Sequence, residues 1–590
     1  MYKLRIFLCS LKRLYDGHFV SYSELENFKQ TLPDYLKNPQ LKNTKLKAIL
    51  KLDFKTYQLL KQIDLYLNHR ERLNKKFIQN EQKKPYEIEG NRLDKEQIAA
   101  VVASEDAELI LASAGSGKSA SLLAKVNYLI QNLKIPAENI LVIAFTRKVV
   151  KELNERMKGS GVEICTFHSF GNKIIKNLKS GKDLKLVPDD FLERTITKIL
   201  KNEGKIEGFD DEESFKKLVI SVLQLQKNEQ ISLKEFKNRI LKIKDEKERK
   251  RAEKFFKYYA KFVRIYGKIL RDNKLYDFSD MLSWSTRIIK GMPPDSLNYQ
   301  YILVDEVQDL SKSKSLLLKA ILEKSHHARL FAVGDDWQSI YRFAGSNLGV
   351  IKDFEKTFNR VTYRGIIRKT YRFGQPTAWV SEYFIRKNPH QSKKKVKTFK
   401  KSKTPINIHL TYPDKKSPDD YNAINQEITK LYQEYGEDLF KKRVQIISRY
   451  NKDLYRLVDP KTKNFKNARI TEEKEDGITI KWRVEKACQD VQIAFCSMHK
   501  SKGITRDIVF VINMNEGEKG MPSTRTDEPI LATMLAKPDL YPLAEERRLF
   551  YVAITRATER TILIANAKKP SRFVKEIARN LDSEIAEALS

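Results

Sequence analysis

Leu111-Ala-Ser-Ala-Gly-Ser-Gly-Lys-Ser119 follows directly on an apolar run, Ala107 to Ala112. The pattern reads as a strand, a phosphate-binding loop and the start of a helix. Its glycines let backbone N–H groups close around phosphates, Lys118 supplies a point charge, and the Ser119 hydroxyl suits Mg²⁺. Ala112 stands where the strict pattern has Gly. A second stretch completes the reading. Tyr301-Ile-Leu-Val-Asp-Glu-Val-Gln-Asp309 is another apolar strand, and it ends in the acidic cluster that a Mg²⁺-dependent nucleoside triphosphatase needs. Together they predict an α/β parallel-sheet core that uses a nucleoside triphosphate.

Around these motifs lies a chain of 590 residues, long enough for several domains. Lys and Arg total 112 against 76 Asp and Glu, a formal charge of +36, which favours a polyanionic partner and nucleic acid first. Cys9, Cys165, Cys488 and Cys496 show neither close pairing nor metal-ligand spacing, which suits a reducing cytoplasm. No apolar run is long enough to span a bilayer, so no membrane is expected. The opening Met1 to Ser10 is too soon interrupted by Lys12 and Arg13 to act as a signal peptide.

Several regions follow from patterning. Residues 1–90 read as a separate, helical, basic extension, with Leu46, Ile49, Leu50 and Phe54 at helical spacing and a boundary near Lys83 to Tyr86. Residues 91–170 and 271–347 carry the first set of short apolar strands, with polar chemistry at their carboxyl ends. Residues 171–270 turn charged and helical, as in Lys244 to Arg251, and read as an insertion. A second α/β set spans 348–450 and 491–590, around a short 451–490 segment. The basic run Ser392 to Lys403 reads as an exposed loop.

The remaining motifs resemble those of UvrD/Rep-type superfamily 1 DNA helicases, and within them the helicase IV branch. The resemblance covers about Leu93 to Phe573. It is carried most specifically by Phe331 to Gly345, Thr370-Tyr-Arg-Phe373 and Glu545 to Ala557. It implies two RecA-like P-loop cores with ATP in the cleft between them and single-stranded DNA across both.

The resemblance also assigns roles. Gln97 would read the adenine edge, since an amide both donates and accepts, and Tyr371 would stack on the base. Asp305 would hold Mg²⁺ together with Ser119, and Glu306 would deprotonate the attacking water. Gln338 would sense the γ-phosphate. Arg372 and Arg556 would reach across from the second core to stabilise the charge that develops on it. Phe145, Thr146, Thr166, Phe167, His168, Tyr341, Arg342, Phe343 and His499 would contact DNA, the aromatics as sequence-tolerant stacking platforms. By residue type alone, Phe145, Phe167 and Phe343 are ordinary core residues. His168 has no companion ligands for a metal.

Two departures from the family matter. Thr505 stands where many relatives carry a Glu proposed to contact the ribose, and the 451–490 segment is too short for the large regulatory insertion many relatives have there. The expectation is an ATP-dependent, monomeric helicase or translocase, moving 3′-to-5′ on single-stranded and tailed duplex DNA. The rivals are a DNA-stimulated ATPase that strips proteins or drives a repair or anti-phage complex without unwinding, and a scaffold with a dead motor.

Overall fold

The computed structural model describes residues 2–31, 54–177, 183–203, 211–412, 419–459, 462–474, 477–535 and 541–579, with 209, 539 and 581. Of the helical pattern expected around Leu46 to Phe54, only Phe54 falls within them.

Two sheets organise the chain. The first is built from β1 (Ala107–Ala112), β2 (Ile140–Ala144), β3 (Glu163–Thr166), β4 (Tyr301–Val304), β5 (Arg329–Gly334) and β6 (Thr362–Ile367), in the order β6-β1-β5-β4-β2-β3. All its pairings are parallel. A parallel sheet is covered on both faces, so its strands are apolar throughout. Alternate residues go to opposite sides. Leu141, Ile143, Ile302 and Val304 join one core, whereas Val142, Leu303, Phe331 and Val333 join the other. The strand that closes one edge, β6, lies within residues expected in the second core; its register runs from Thr362 opposite Ala107 to Ile367 opposite Ala112.

The second sheet contains β7 (Ile406–Thr411), β8 (Val444–Ser448), β9 (Asn464–Phe465), β10 (Ala468–Lys474), β11 (Gly477–Val484), β12 (Gln489–Ser497), β13 (Arg506–Val511) and β14 (Ala557–Asn566). The order is β7-β14-β13-β8-β12-β11-β10-β9. It is parallel in its core, as expected, and antiparallel at one end. β7, β14, β13, β8 and β12 run parallel, and β11, β10 and β9 then add antiparallel strands. Much of the short 451–490 segment is thus an extension of the sheet itself. Trp482 and Ile480 of that extension are buried in the same core as Ile446 and Phe510.

The insertion is helical, with helices Phe191–Glu203, Glu212–Glu229, Leu233–Ile240 and Glu246–Asp272. The last of these begins within the charged run, where the Asp245 side chain caps it by accepting from the Glu248 amide. Phe215, Phe236, Phe255 and Tyr259 form its core, joined by Ile530 and Met534 from far along the chain. Its expected start at 171 falls inside a continuous helix, Phe167–Lys176. The amino-terminal helices are not separate. Glu24 pairs with Arg329 (2.7 Å), Arg70 pairs with Glu105, and the Ser23 amide donates to Asp106, all on the first core. Among the described residues no helix is long and apolar enough to cross a membrane.

Candidate nucleotide and nucleic-acid site

The phosphate loop leaves β1 and turns into the helix Lys118–Gln131. Gly115 and Gly117 both take left-handed φ values, +71° and +77°. The loop is packed so closely that a Cβ on Gly115 would lie 2.5 Å from Arg372 Cβ, and one on Gly117 2.8 Å from Gln97 Nε2. Glycine is therefore required twice over, by backbone conformation and by space. The Ser113 amide donates to Ile367 O (2.9 Å), which fixes the loop to β6, and the Tyr371 amide donates to Gly115 O (2.9 Å). Ala112 lies within β1 and Ala114 is fully buried.

Opposite the loop, β4 ends at Asp305 and Glu306. Glu306 sits at φ +50°, ψ +47°, a conformation that costs a non-glycine residue energy and marks a constrained site. It brings the carboxylate 3.5 Å from Lys118 Nζ. Burial raises Asp305, and the Glu306 charge beside it raises it further. Burial would raise Glu306 too, but Lys118 and then Lys502 outweigh it and hold the carboxyl below its ordinary range. One member of the pair is thereby kept ionised, as a general base must be. Gln308, quoted within the motif but given no role from sequence, is the residue that orients Glu306. Its Nε2 donates to Glu306, and its Oε1 accepts from the Asp335 amide (2.9 Å).

The second core supplies Arg372 and Arg556. Arg556 Nη2 donates to Gln338 Oε1 (3.3 Å), and Gln338 Nε2 donates to Asp335 Oδ2 (2.6 Å). Arg372 Nη1 donates to Thr555 O (3.0 Å). Among the described residues neither guanidinium has a carboxylate within ion-pair distance. Burial lowers Arg372 to about 10; burial and then the Arg372 charge lower Arg556 to about 9. Two buried, mutually repelling cations beside a phosphate loop are arranged for an anion with several charges. The unpartnered buried hydroxyls of Ser113 and Ser116 fit the same polar ligand. Among the described residues no three His, Cys, Asp or Glu groups converge as a metal site, so a Mg²⁺ ion here would rest on Ser119, Asp305 and phosphate oxygens.

Gln97, expected to read the adenine edge, also braces the loop. Its Oε1 accepts from the Asp94 amide (2.9 Å) and its Nε2 donates to Ser116 O (3.1 Å), so both amide atoms brace the loop and helix. Tyr371 donates to Asp94 Oδ2 (2.9 Å). Beside it stands Phe399, 61% exposed and with ring centroids 5.3 Å apart, an aromatic the sequence reading did not single out. Phe399 belongs to the basic run expected to be an exposed loop. The expectation holds for most of the run, where Lys393, Lys395, Lys397, Lys401 and Lys403 are exposed, but not at Lys394, which is wholly buried and pairs with Asp335 and Asp336, while Ser392 Oγ donates to Asp336 (2.5 Å).

The proposed DNA contacts divide in the structure. Phe145, Tyr341, Phe343 and His499 lie together and span both cores. Phe145 stacks on Tyr341 at 6.0 Å, and Phe343 meets His499 edge-on at 5.2 Å. Phe343 is 55% exposed, so it is not a core residue. Phe167 is one, buried with Leu141 and Ile302. Arg342 is engaged by Glu545 (3.0 Å) and by Asp527, which neutralise it. Thr146 and Thr166 cap the helices Arg147–Arg156 and Phe167–Lys176. His168, kept neutral by burial, stacks at 3.9 Å on Phe278, which is 48% exposed. Lys502 joins the two halves of the site. Its Nζ pairs with Asp309, donates to Gln338 O (2.9 Å) and lies 5.1 Å over the Tyr341 ring.

Comparison with known proteins gives the chain a family likeness. Residues 93–359 match the model of the UvrD/REP helicase N-terminal domain. The chain is similar to DNA helicase IV of Escherichia coli (strain K12), 28% identical over 541 residues, which is 85% of this chain and 72% of that protein. It is also similar to the ATP-dependent DNA helicase PcrA of Staphylococcus aureus (strain COL), 28% identical over 279 residues, 45% of this chain and 36% of that protein. The likeness to proteins named DNA helicases, PcrA an ATP-dependent one, supports an ATP-hydrolysing helicase.

Proposed function

We propose that this helicase moves along single-stranded DNA, 3′-to-5′, and separates strands of tailed duplexes as a monomer in the cytoplasm. The direction rests on the likeness to the UvrD/Rep-type family. The observation that carries the mechanism is the junction at Lys502. One ammonium binds the acidic motif through Asp309, the γ-phosphate segment through Gln338 O, and an aromatic of the track through Tyr341.

ATP supplies the transferable phosphoryl group, with Mg²⁺ neutralising its oxygens. Lys118 and the loop amides hold the phosphates. Glu306, held ionised and aimed by Gln308, takes a proton from the attacking water. Arg372 and Arg556, already buried and short of anionic partners, gain most when charge develops on the terminal phosphate. Gln338 touches Arg556 and lies three residues before Tyr341, so a change at the phosphate reaches the aromatic row through one short segment. The +36 charge supports a polyanionic track.

The test is strand separation of duplexes carrying a 3′ or a 5′ single-stranded tail, run beside displacement of a protein bound to single-stranded DNA. The 3′-tailed duplex should unwind in an ATP-dependent way. Protein displacement without unwinding on either tail would replace this reading by that of a stripping translocase.

A further inference from the structure

Tyr551 lies on the helix Ala544–Ile554 of the second core, one turn before Thr555 and Arg556. It is wholly buried, yet its hydroxyl has no hydrogen-bond partner. Proteins rarely leave a buried hydroxyl unpaired, because it loses water and gains nothing in return. Its surroundings are specific. The ring packs with Ala114 of the phosphate loop and with Phe373, and it meets Trp337 edge-on at 5.5 Å. The charged groups acting on the phenol are Asp335, Arg556 and Arg372; the Ala114 N–H approaches its oxygen as a donor without completing a hydrogen bond, and the O–H itself has no acceptor. The other unpaired hydroxyls of this cleft, Ser113 and Ser116, belong to the loop itself. A tyrosine from the second core thus brings an unused donor to the phosphate loop, between the two arginines and the Gln338 partner Asp335.

We propose that the Tyr551 hydroxyl donates a hydrogen bond to the terminal phosphate of bound ATP, so that the second core contacts that phosphate through a neutral donor as well as through Arg372 and Arg556. The inference rests on the reading of the cleft as the ATP site. It extends that reading to a residue with no assigned role. A phenol needs no neighbouring anion to stay buried before nucleotide arrives, whereas a third arginine would add to the repulsion between the first two. Because ADP lacks the group being contacted, Tyr551 distinguishes ATP from ADP, and its contact is lost on hydrolysis.

The test is Tyr551→Phe in the full chain, which keeps the ring and removes only the oxygen. Three quantities are measured: affinity for the non-hydrolysable analogue AMP-PNP, affinity for ADP, and the melting midpoint without nucleotide. The proposal expects AMP-PNP binding to weaken roughly tenfold, the weight of a hydrogen bond to a charged group. ADP binding should be unchanged, and the nucleotide-free midpoint unchanged or higher, since an unpaired buried hydroxyl has been removed. Unchanged AMP-PNP binding would overturn the proposal. So would equal losses for both nucleotides, or a lowered midpoint or failure to fold, either of which would make the hydroxyl structural. Wild-type protein that binds AMP-PNP but does not hydrolyse ATP would fail the functional reading and leave this comparison intact.

Discussion

Replacing Lys502 by Met tests the junction between the ATP cleft and the aromatic row. Met keeps most of the length and apolar bulk and removes the charge. The ion pair it breaks is buried, with 7% of the Lys502 side chain and 1% of the Asp309 side chain exposed. Asp309 also has one carboxylate oxygen with no hydrogen-bond partner, so nothing nearby replaces the ammonium. Removing one member of such a pair costs about 3–5 kcal/mol. In a folding unit of roughly 250 residues that is a fall in melting midpoint on the order of 5–10 °C. The effect should depend on pH. Burial raises the Asp309 carboxyl to about 6 even with Lys502 present. A carboxyl raised by folding contributes most to stability when protonated, and that contribution is lost as the pH climbs through its folded value. Without Lys502 the carboxyl rises further, so the deficit should be larger at pH 8 than at pH 5. Asp309→Asn combined with Lys502→Met should recover part of the loss, because the stranded charge is gone. Stimulation of ATP hydrolysis by single-stranded DNA should be lost in both. Scanning calorimetry at the two pH values and a DNA-titrated ATPase assay measure these effects. A variant that melts within about a degree of wild type at both pH values, or that keeps full DNA stimulation, would refute the reasoning.

Lys118→Ala and Glu306→Gln should each abolish ATP hydrolysis, but fluorescent-nucleotide titration should find binding weakened only in the first, since the second retains the phosphate charge. Arg556→Ala should lower turnover by roughly a thousandfold or more, with a much smaller change in ATP affinity; single-turnover kinetics separate the two. Phe343→Ala should leave the melting midpoint unchanged because the ring is exposed. It should weaken single-stranded DNA binding by about 1–3 kcal/mol, measured by fluorescence anisotropy.

Much of the cleft was legible because its parts are contiguous. A glycine loop after an apolar strand, and two carboxylates at the end of another, carry their chemistry within a few residues. What the sequence hid depends on remote neighbours. Arg342 reads as a free cation until Asp527 and Glu545, about two hundred residues later, are folded against it. Lys394 lies in a run of lysines, and only Asp335 and Asp336 explain its burial. Phe167 and Phe343 are the same residue type in similar motifs, yet one faces the core and the other solvent. The strand β6 was assigned to the wrong sheet because Thr362 to Ile367 is β-prone in either, and pairing with β1 is a matter of register. The resemblance gave Gln97 a ligand contact, and only the fold adds that the Asp94 cap and Ser116 hold its amide in place.

The central claim is that ATP turnover in this cleft is tied to a single strand on the aromatic row. The most direct measurement is the steady-state ATPase rate of the whole chain titrated with oligo-dT, in wild type and in Phe343→Ala. The account predicts a low basal rate that rises saturably with DNA. In the variant, half-saturation should move to roughly tenfold higher DNA or beyond, with the basal rate retained. A rate indifferent to DNA in the wild type, or identical DNA dependence in the two proteins, would contradict it.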